Sequence, residues 1–411
     1  MIPHIRALAV AASVVILSDA RPVILSEARP VILSEAKDLL FGRGASPEQQ
    51  QILRRFAPQD DRTWDEKALD KWLRHLADSA KFSGVVLVER GNKVLLNRAY
   101  LPAGGRRLTT ESAFWLASTT KQFTAAAIMK LVDQGKLSVS DSLYHFFRRL
   151  PRDARAITVE QLLTHTSGVA PSGSAEGVTD REAAVRAILS EPLRGQPGET
   201  YHYEDEDYTL LAAVVETVAG VPFEAFVERT LLIPAGLTHT GFCGRLSARV
   251  TVAPSANAPA VPPPCSGGST PVDWADRGAT GLVGTAGDLL KWARALRAGK
   301  ILSQRSAQEL GRGHVLVRRE GGNDVYYSFG DRIYMQGDRR REVWHSGYDV
   351  RVGQSSVVRL LENGLSIVVL SNAGLDASGQ TWASAVARVV DSCLDDSNGC
   401  ERPNVTQATP R

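Results

Sequence analysis

None of the four cysteines in this chain of 411 residues is spaced as CxxC, which excludes a zinc ribbon. There is no HExxH and no other tight His/Asp cluster, so neither a metal nor another cofactor is expected. GxSxG is absent, which sets aside the strand-to-helix nucleophile turn of the α/β-hydrolases. The net charge is only +3, so there is no electrostatic case for a nucleic-acid partner. Beyond the N-terminal segment no stretch is long and apolar enough to span a bilayer, and no stable membrane insertion is expected once that segment is removed.

Residues 1–20 read as a signal peptide. His4 and Arg6 precede an apolar run from Ala7 to Leu17, and Ser18-Asp19-Ala20 offers small residues for cleavage. A periplasmic or secreted protein follows, and in that setting an even number of cysteines suggests disulfides. Three pairings are open. The local one is Cys243–Cys265 with Cys393–Cys400, and four buried free thiols are the alternative.

An eight-residue repeat, VILSDARP, VILSEARP and VILSEAKD, fills Val15 to Asp38. Three such short copies cannot stack into a solenoid, so residues 21–60 read as a poorly ordered tail. Residues 394–411 read as a second tail.

The folded part is expected over residues 64–393. Ala68, Leu69, Trp72, Leu73 and Leu76 recur at helical spacing. Gly84–Glu89 and Lys93–Ala99 read as a hairpin turning at Gly91-Asn92. Strands return at Val325–Met335, Glu342–His345, Arg351–Leu360 and Ser366–Ser371, before a helix from Thr381 to Cys393. Between the ends, residues 118–299 read as mainly helical, with a Pro/Ser/Gly-rich surface loop at 253–271. The class is therefore α+β. One antiparallel sheet, built from 64–117 and 300–393 and flanked by N- and C-terminal helices, carries an inserted mainly helical domain.

Ser118-Thr119-Thr120-Lys121 runs into an apolar helix ending near Gly135. Ser118 sits at its start, and Lys121 lies three residues on, over the same face. A serine hydroxyl is a weak nucleophile and needs a nearby base. A helix N-terminus favours developing negative charge and offers backbone N–H groups to an oxyanion. The spacing alone is not specific, because Ser34-Glu35-Ala36-Lys37 matches it too. Two partners make it informative. Tyr203, just before a helix at Tyr208–Thr217, is a candidate base or proton shuttle. Trp344-His345-Ser346-Gly347 ends a strand, where His345 and Ser346 could donate to a substrate and Gly347 would let it approach closely.

These three elements in this order resemble the serine β-lactamase and penicillin-binding protein superfamily, most of all its class C-like branch of β-lactamases, DD-carboxypeptidases, D-amino-acid amidases and family VIII esterases. The likeness runs over about residues 65–390, through FWLASTTKQFTAAAIMKLVDQGKLSVSD, ITVEQLLTHTSGV, PGETYHYEDEDYTLLAAVVE, GLVGTAGDLLKWARAL and WHSGYD. It implies acylation of Ser118, proton movement by Lys121 and Tyr203, and an oxyanion hole from the backbone N–H groups of Ser118 and Tyr348. It implies β-lactam, D-amino-acid peptide or amide, or ester substrates, some of them derived from peptidoglycan. His345-Ser346-Gly347 matches the HxG form of a motif that penicillin-specialised members carry as KTG.

One position departs from the family. The second motif is usually Tyr-x-Asn, and here it is Tyr203-Glu204-Asp205. Asn both donates and accepts, whereas an ionised Asp only accepts. Beside Lys121 it holds the ammonium and shifts the burden to Tyr203. Asp205 is expected to bias against penicillin-like amides, toward esters or cationic amines, and the acids Glu204 to Asp207 to repel anions. His165 is expected to hold a loop, and Thr285 with Asp288 to cap a helix. A reading from another class is a non-catalytic, penicillin-recognising sensor, acylated once and then inert.

Overall fold

The computed structural model describes residues 66–394, save 106, 257–264, 266–272, 321 and 377, together with three short N-terminal strands. Those strands, β1 (Ala7–Val10), β2 (Ser13–Ser18) and β3 (Arg21–Leu25), pair antiparallel as a small sheet of their own. They fall where the sequence suggests an export segment and the start of a repeat tail. The rest of both tails lies outside the described residues.

The main sheet has eight antiparallel strands in the order β5-β4-β14-β13-β12-β11-β10-β9. The N-terminal hairpin, β4 (Gly84–Arg90) and β5 (Lys93–Tyr100), forms one edge. Its turn at Gly91 and Asn92 has φ of 52° and 70°, the left-handed pair that a two-residue hairpin requires. The other six strands come from the C-terminal region: β9 (Val315–Glu320), β10 (Asn323–Tyr327), β11 (Arg332–Gln336), β12 (Arg339–Asp349), β13 (Gln354–Leu361) and β14 (Leu365–Ser371). β14 joins the two ends of the chain by pairing with β4. Val86, Val88, Val357, Ile367 and Val369 face helices α1 (Glu66–Ala80) and α9 (Trp382–Leu394). Val85, Leu87, Val358, Val368 and Leu370 face the helical region. The strand period of two is thus used on both faces.

At the centre of that region lies α2 (Lys121–Asp133). It is buried nearly all round, as a helix without a polar face must be. Phe123 stacks on Trp292 of α7 (Ala286–Arg297) at 4.4 Å. Helices α3 (Val159–Leu163), α4 (Arg181–Ile188), α5 (Asp205–Ala219) and α6 (Phe223–Val227) pack around it, and α8 (Gln304–Leu310) leads back to the sheet. Among the described residues no single helix is long and apolar enough to cross a membrane.

Three features depart from the sequence reading. The expected strand Val325–Met335 is two strands, because Gly330 (φ 84°) turns the chain against α2, where a side chain would meet the Lys121 carbonyl. The mainly helical region also holds β7 (Gly241–Phe242) and β8 (Leu282–Gly284), and β8 pairs with β7 on one side and with β6 (Phe114–Trp115) on the other. They are too short to leave a periodic signal. Strand β9 was not expected, and its mixed burial shows no clean alternation. Cys243 and Cys265 form a disulfide, the local choice. Cys393 is disulfide-bonded as well, and Cys400 lies outside the described residues.

Candidate active site

Ser118 stands on a strained turn. β6 leads through Leu116 into Ala117, whose φ of 48° is in the left-handed region that side chains avoid. A short 3₁₀ turn, Ala117–Thr120, then enters α2. The sheet holds this turn in place. Trp115 N donates to Gln354 Oε1 at 2.7 Å, and Ser356 Oγ donates to the Leu116 carbonyl at 2.6 Å. Leu116 N donates to the Leu282 carbonyl at 2.9 Å. Ala117, Thr119 and Thr120 are buried, and Ser118 is half-buried.

Lys121 is fully buried and uses all three donors of an ammonium. Its Nζ donates to Ser118 Oγ at 3.3 Å, to Asp205 Oδ1 at 2.7 Å and to the Ala279 carbonyl at 3.3 Å. Asp205 begins α5, so its carboxylate also lies at a helix N-terminus. Tyr203 meets Lys121 with its ring face, 4.9 Å from Nζ to the centroid. Arg332 lies over the same ring at 5.2 Å, and also over Trp344 at 5.2 Å.

The third element is the end of β12. β11 pairs only as far as Trp344, whereas β13 continues beside His345 to Asp349. Residues 345–349 therefore present an edge without a β11 partner, and it runs past Ser118. Gly347 faces the Ser118 turn. A side chain there would overlap the Leu116 carbonyl and come within 2.8 Å of Ser118 N. The glycine thus admits the chain's own turn, a tighter demand than room for a substrate.

Strand alternation separates the next two residues. His345 shares the face of Val358 and Val368, toward α2, while Ser346 shares that of Val357 and Val369, toward α1 and α9. The expectation that the Ser346 hydroxyl reaches a substrate is corrected, because its Oγ is buried on the far face with no partner. His345 is fully buried, and its Nδ1 donates to the Gly330 carbonyl at 2.6 Å. Burial, with Arg332 and Lys121 nearby, holds it well below the usual histidine range. A neutral imidazole with Nδ1–H leaves Nε2 an acceptor, and no group among the described residues donates to it. His345 is thus not the donor that the sequence suggests.

A model of the beta-lactamase family matches residues 69–391, which takes in every residue named above. The chain belongs to the beta-lactamase family. The octameric penicillin-binding protein homologue from Pyrococcus abyssi superposes with a TM-score of 0.69 at 25% identity, over 82% of this chain and 78% of that one. The penicillin-binding protein from Bacillus halodurans gives 0.61 at 26%, over 78% and 99%. The D-amino acid amidase from Ochrobactrum anthropi SV3 gives 0.61 at 20%, over 79% and 98%, and shows the shared fold alone. Protein flp of Staphylococcus aureus strain N315 is 30% identical over 191 residues, 43% of this chain. The chain spans 58% and 38% of the length of the first two curated relatives.

The acids around Tyr203 do not form the anion-repelling mouth that the sequence suggests. Glu204 is buried against Arg194 at 2.8 Å. Glu206 accepts the backbone N–H groups of Ser172 and Gly173 at 2.8 and 3.0 Å, pinning that loop. Asp207 is fully buried, 2.9 Å from His165 Nδ1 and 2.5 Å from Ser167 Oγ. Burial drives His165 and Asp207 toward their neutral forms, the histidine well below its usual range and the carboxyl well above. The Glu204 N–H, aimed at Nδ1 from 3.3 Å, makes that nitrogen an acceptor. The Asp207 carboxyl shares a hydrogen bond with Nδ1 at 2.9 Å, and Nε2 shares another with Tyr327 Oη at 3.1 Å. The His165 ring lies 4.4 Å from that of Tyr203, and the His165 carbonyl accepts from His202 N. It therefore holds the loop beside the site. Thr285 caps α7 by accepting from Asp288 N.

Sequence reasoning missed the Ala279 carbonyl, Gln354, Ser356 and Arg332. A backbone carbonyl has no motif, and the other three are placed by strand register, Gln354 and Ser356 from 239 and 240 residues away.

Proposed function

We propose that this chain is a serine acyl hydrolase that forms an acyl-enzyme on Ser118. The observation that carries the reading is Lys121, buried and in contact with Ser118 Oγ and Asp205 at once. Ser118 Oγ attacks a substrate carbonyl and passes its proton to Tyr203 acting as a phenolate, because the Lys121 donors are already committed. The Ser118 and Tyr348 backbone N–H groups receive the oxyanion. The proton returns to the departing alcohol or amine, and water then releases the acid and restores Ser118.

Asp205 directs substrate choice. It offers only acceptors where an amide-recognising site needs a donor, so esters and substrates with a cationic amine are favoured over penicillin-like amides. A preference for esters would set this chain apart from relatives named as penicillin-binding proteins. We place the protein outside the cytoplasm, in the periplasm or secreted, and the Cys243–Cys265 disulfide supports an oxidising compartment.

The test is hydrolysis of a short-chain chromogenic ester, a D-amino-acid anilide and a chromogenic cephalosporin by wild type, Ser118→Ala and Asp205→Asn. Turnover lost in Ser118→Ala, with the ester-to-amide ratio falling in Asp205→Asn, is the expected result. A ratio unmoved by Asp205→Asn removes Asp205 from specificity. One burst without turnover assigns the sensor reading instead.

A further inference from the structure

Arg351 lies in the turn between β12 and β13, outside every motif of the site. Its guanidinium grips two carboxylates. Nε and Nη2 donate to Asp349 at 3.0 and 2.6 Å, and Nη2 donates also to Asp276 Oδ1 at 2.7 Å. Asp349 directly follows Tyr348, whose amide is the proposed oxyanion donor. Asp276 belongs to the opposite wall. Its segment supplies the Ala279 carbonyl to Lys121 and the Gly278 carbonyl to Thr124 Oγ1 at 2.7 Å. Thr280 Oγ1 donates to Asp276 at 2.8 Å, so the carboxylate is fixed to that wall from within.

We infer that Arg351 is a positioning residue, a strut across the site that keeps the Tyr348 amide and the Ala279 carbonyl in register with Ser118. The inference rests on the reading of Ser118 as the nucleophile. A planar guanidinium fork sets distance and angle together, which the point charge of a lysine cannot do. The Arg351 side chain is 55% exposed, but the Asp276 and Asp349 side chains are only 16% and 7% exposed. Without Arg351 two half-dry carboxylates would face each other and the walls would part.

The strut is also acid-sensitive. Burial holds the Asp276 carboxyl above its usual range, against the lowering pull of Arg351 and Thr280 and with the raising pull of Asp273 on its own segment. Asp349 faces it across the shared guanidinium. The strut is intact above the folded Asp276 value and is lost as pH falls through it. That loss comes at a higher pH than an ordinary carboxylate would give.

The experiment follows labelling of the full chain by a fluorophosphonate probe, in which Ser118 Oγ bonds to phosphorus and fluoride leaves, read by intact mass. Wild type is labelled and Ser118→Ala is not. A wild type left unlabelled removes the nucleophile reading and the strut with it. Given labelling, Arg351→Ala is expected to react about tenfold or more slowly, with Tm within about 4 °C of wild type. Arg351→Lys does not restore the rate. Asp276→Asn flattens the acid-side fall of the labelling rate. Labelling of Arg351→Ala within twofold of wild type overturns the inference. Should that variant not fold, wild-type rates and pH profiles in both Arg351→Lys and Asp276→Asn overturn it instead.

Discussion

The first turn of α5 carries two carboxylates two residues apart, and the fold uses them in opposite ways. Asp205 is part-exposed and holds the Lys121 ammonium. Asp207 points inward to His165 and Ser167, where burial drives it toward its neutral form. Both lie at the same helix N-terminus, so the dipole cannot be what separates them. Partner and solvent do. A cation next to Asp205 keeps a charge in the site, whereas a neutral ring next to Asp207 makes a hydrogen-bonded brace. One residue holds the Lys121 ammonium, and the other holds the loop beside Tyr203.

Breaking the brace should give the largest effect on stability. Asp207→Ala strips buried partners from Ser167 and His165 and is expected to cost about 3 kcal/mol or more in denaturant unfolding. Asp207→Asn sharpens the contrast, because an amide keeps one donor and one acceptor where the neutral carboxyl has them. It is expected to be nearly neutral in acid. A carboxyl raised by folding contributes stability below its unfolded value, which is lost as pH rises toward its folded value. From about pH 4 upward the comparison should therefore move in favour of Asp207→Asn, by up to about 1.4 kcal/mol per pH unit. A flat difference would mean that Asp207 is ionised in the fold.

His345 runs the other way. Its neutral form is favoured by burial, so its contribution is full above about pH 6.5 and is lost as pH falls. The Tm of His345→Asn should change less between pH 7.5 and 5.5 than that of wild type. The smallest effect belongs to Ser346→Ala. Turnover is expected within about twofold of wild type and stability unchanged or slightly raised, since the change removes a buried hydroxyl that has no partner.

The α+β plan and the Ser118–Lys121 spacing are local enough to read in the chain. Ser118 and Lys121 are one helical turn apart, and the apolar runs at both ends alternate as strands do. The separation of His345 from Ser346 was legible too, because neighbours in a strand face opposite ways. What could not be read is set by register. Ser356 and Gln354 reach the turn that carries Ser118 only because of where β13 lies in the sheet. The break at Gly330 depends on a contact with α2. The run Glu204 to Asp207 looks like an acidic patch in one dimension, yet each acid has its own partner in three.

The most direct test of the account is intact-mass analysis of wild type and Ser118→Ala, quenched within seconds of mixing with a chromogenic ester, followed by peptide mapping. An acyl adduct on the peptide bearing Ser118, absent in the variant and lost on standing as product forms, is the result the account predicts. Product formation that persists in Ser118→Ala, or an adduct on any other residue, would contradict it.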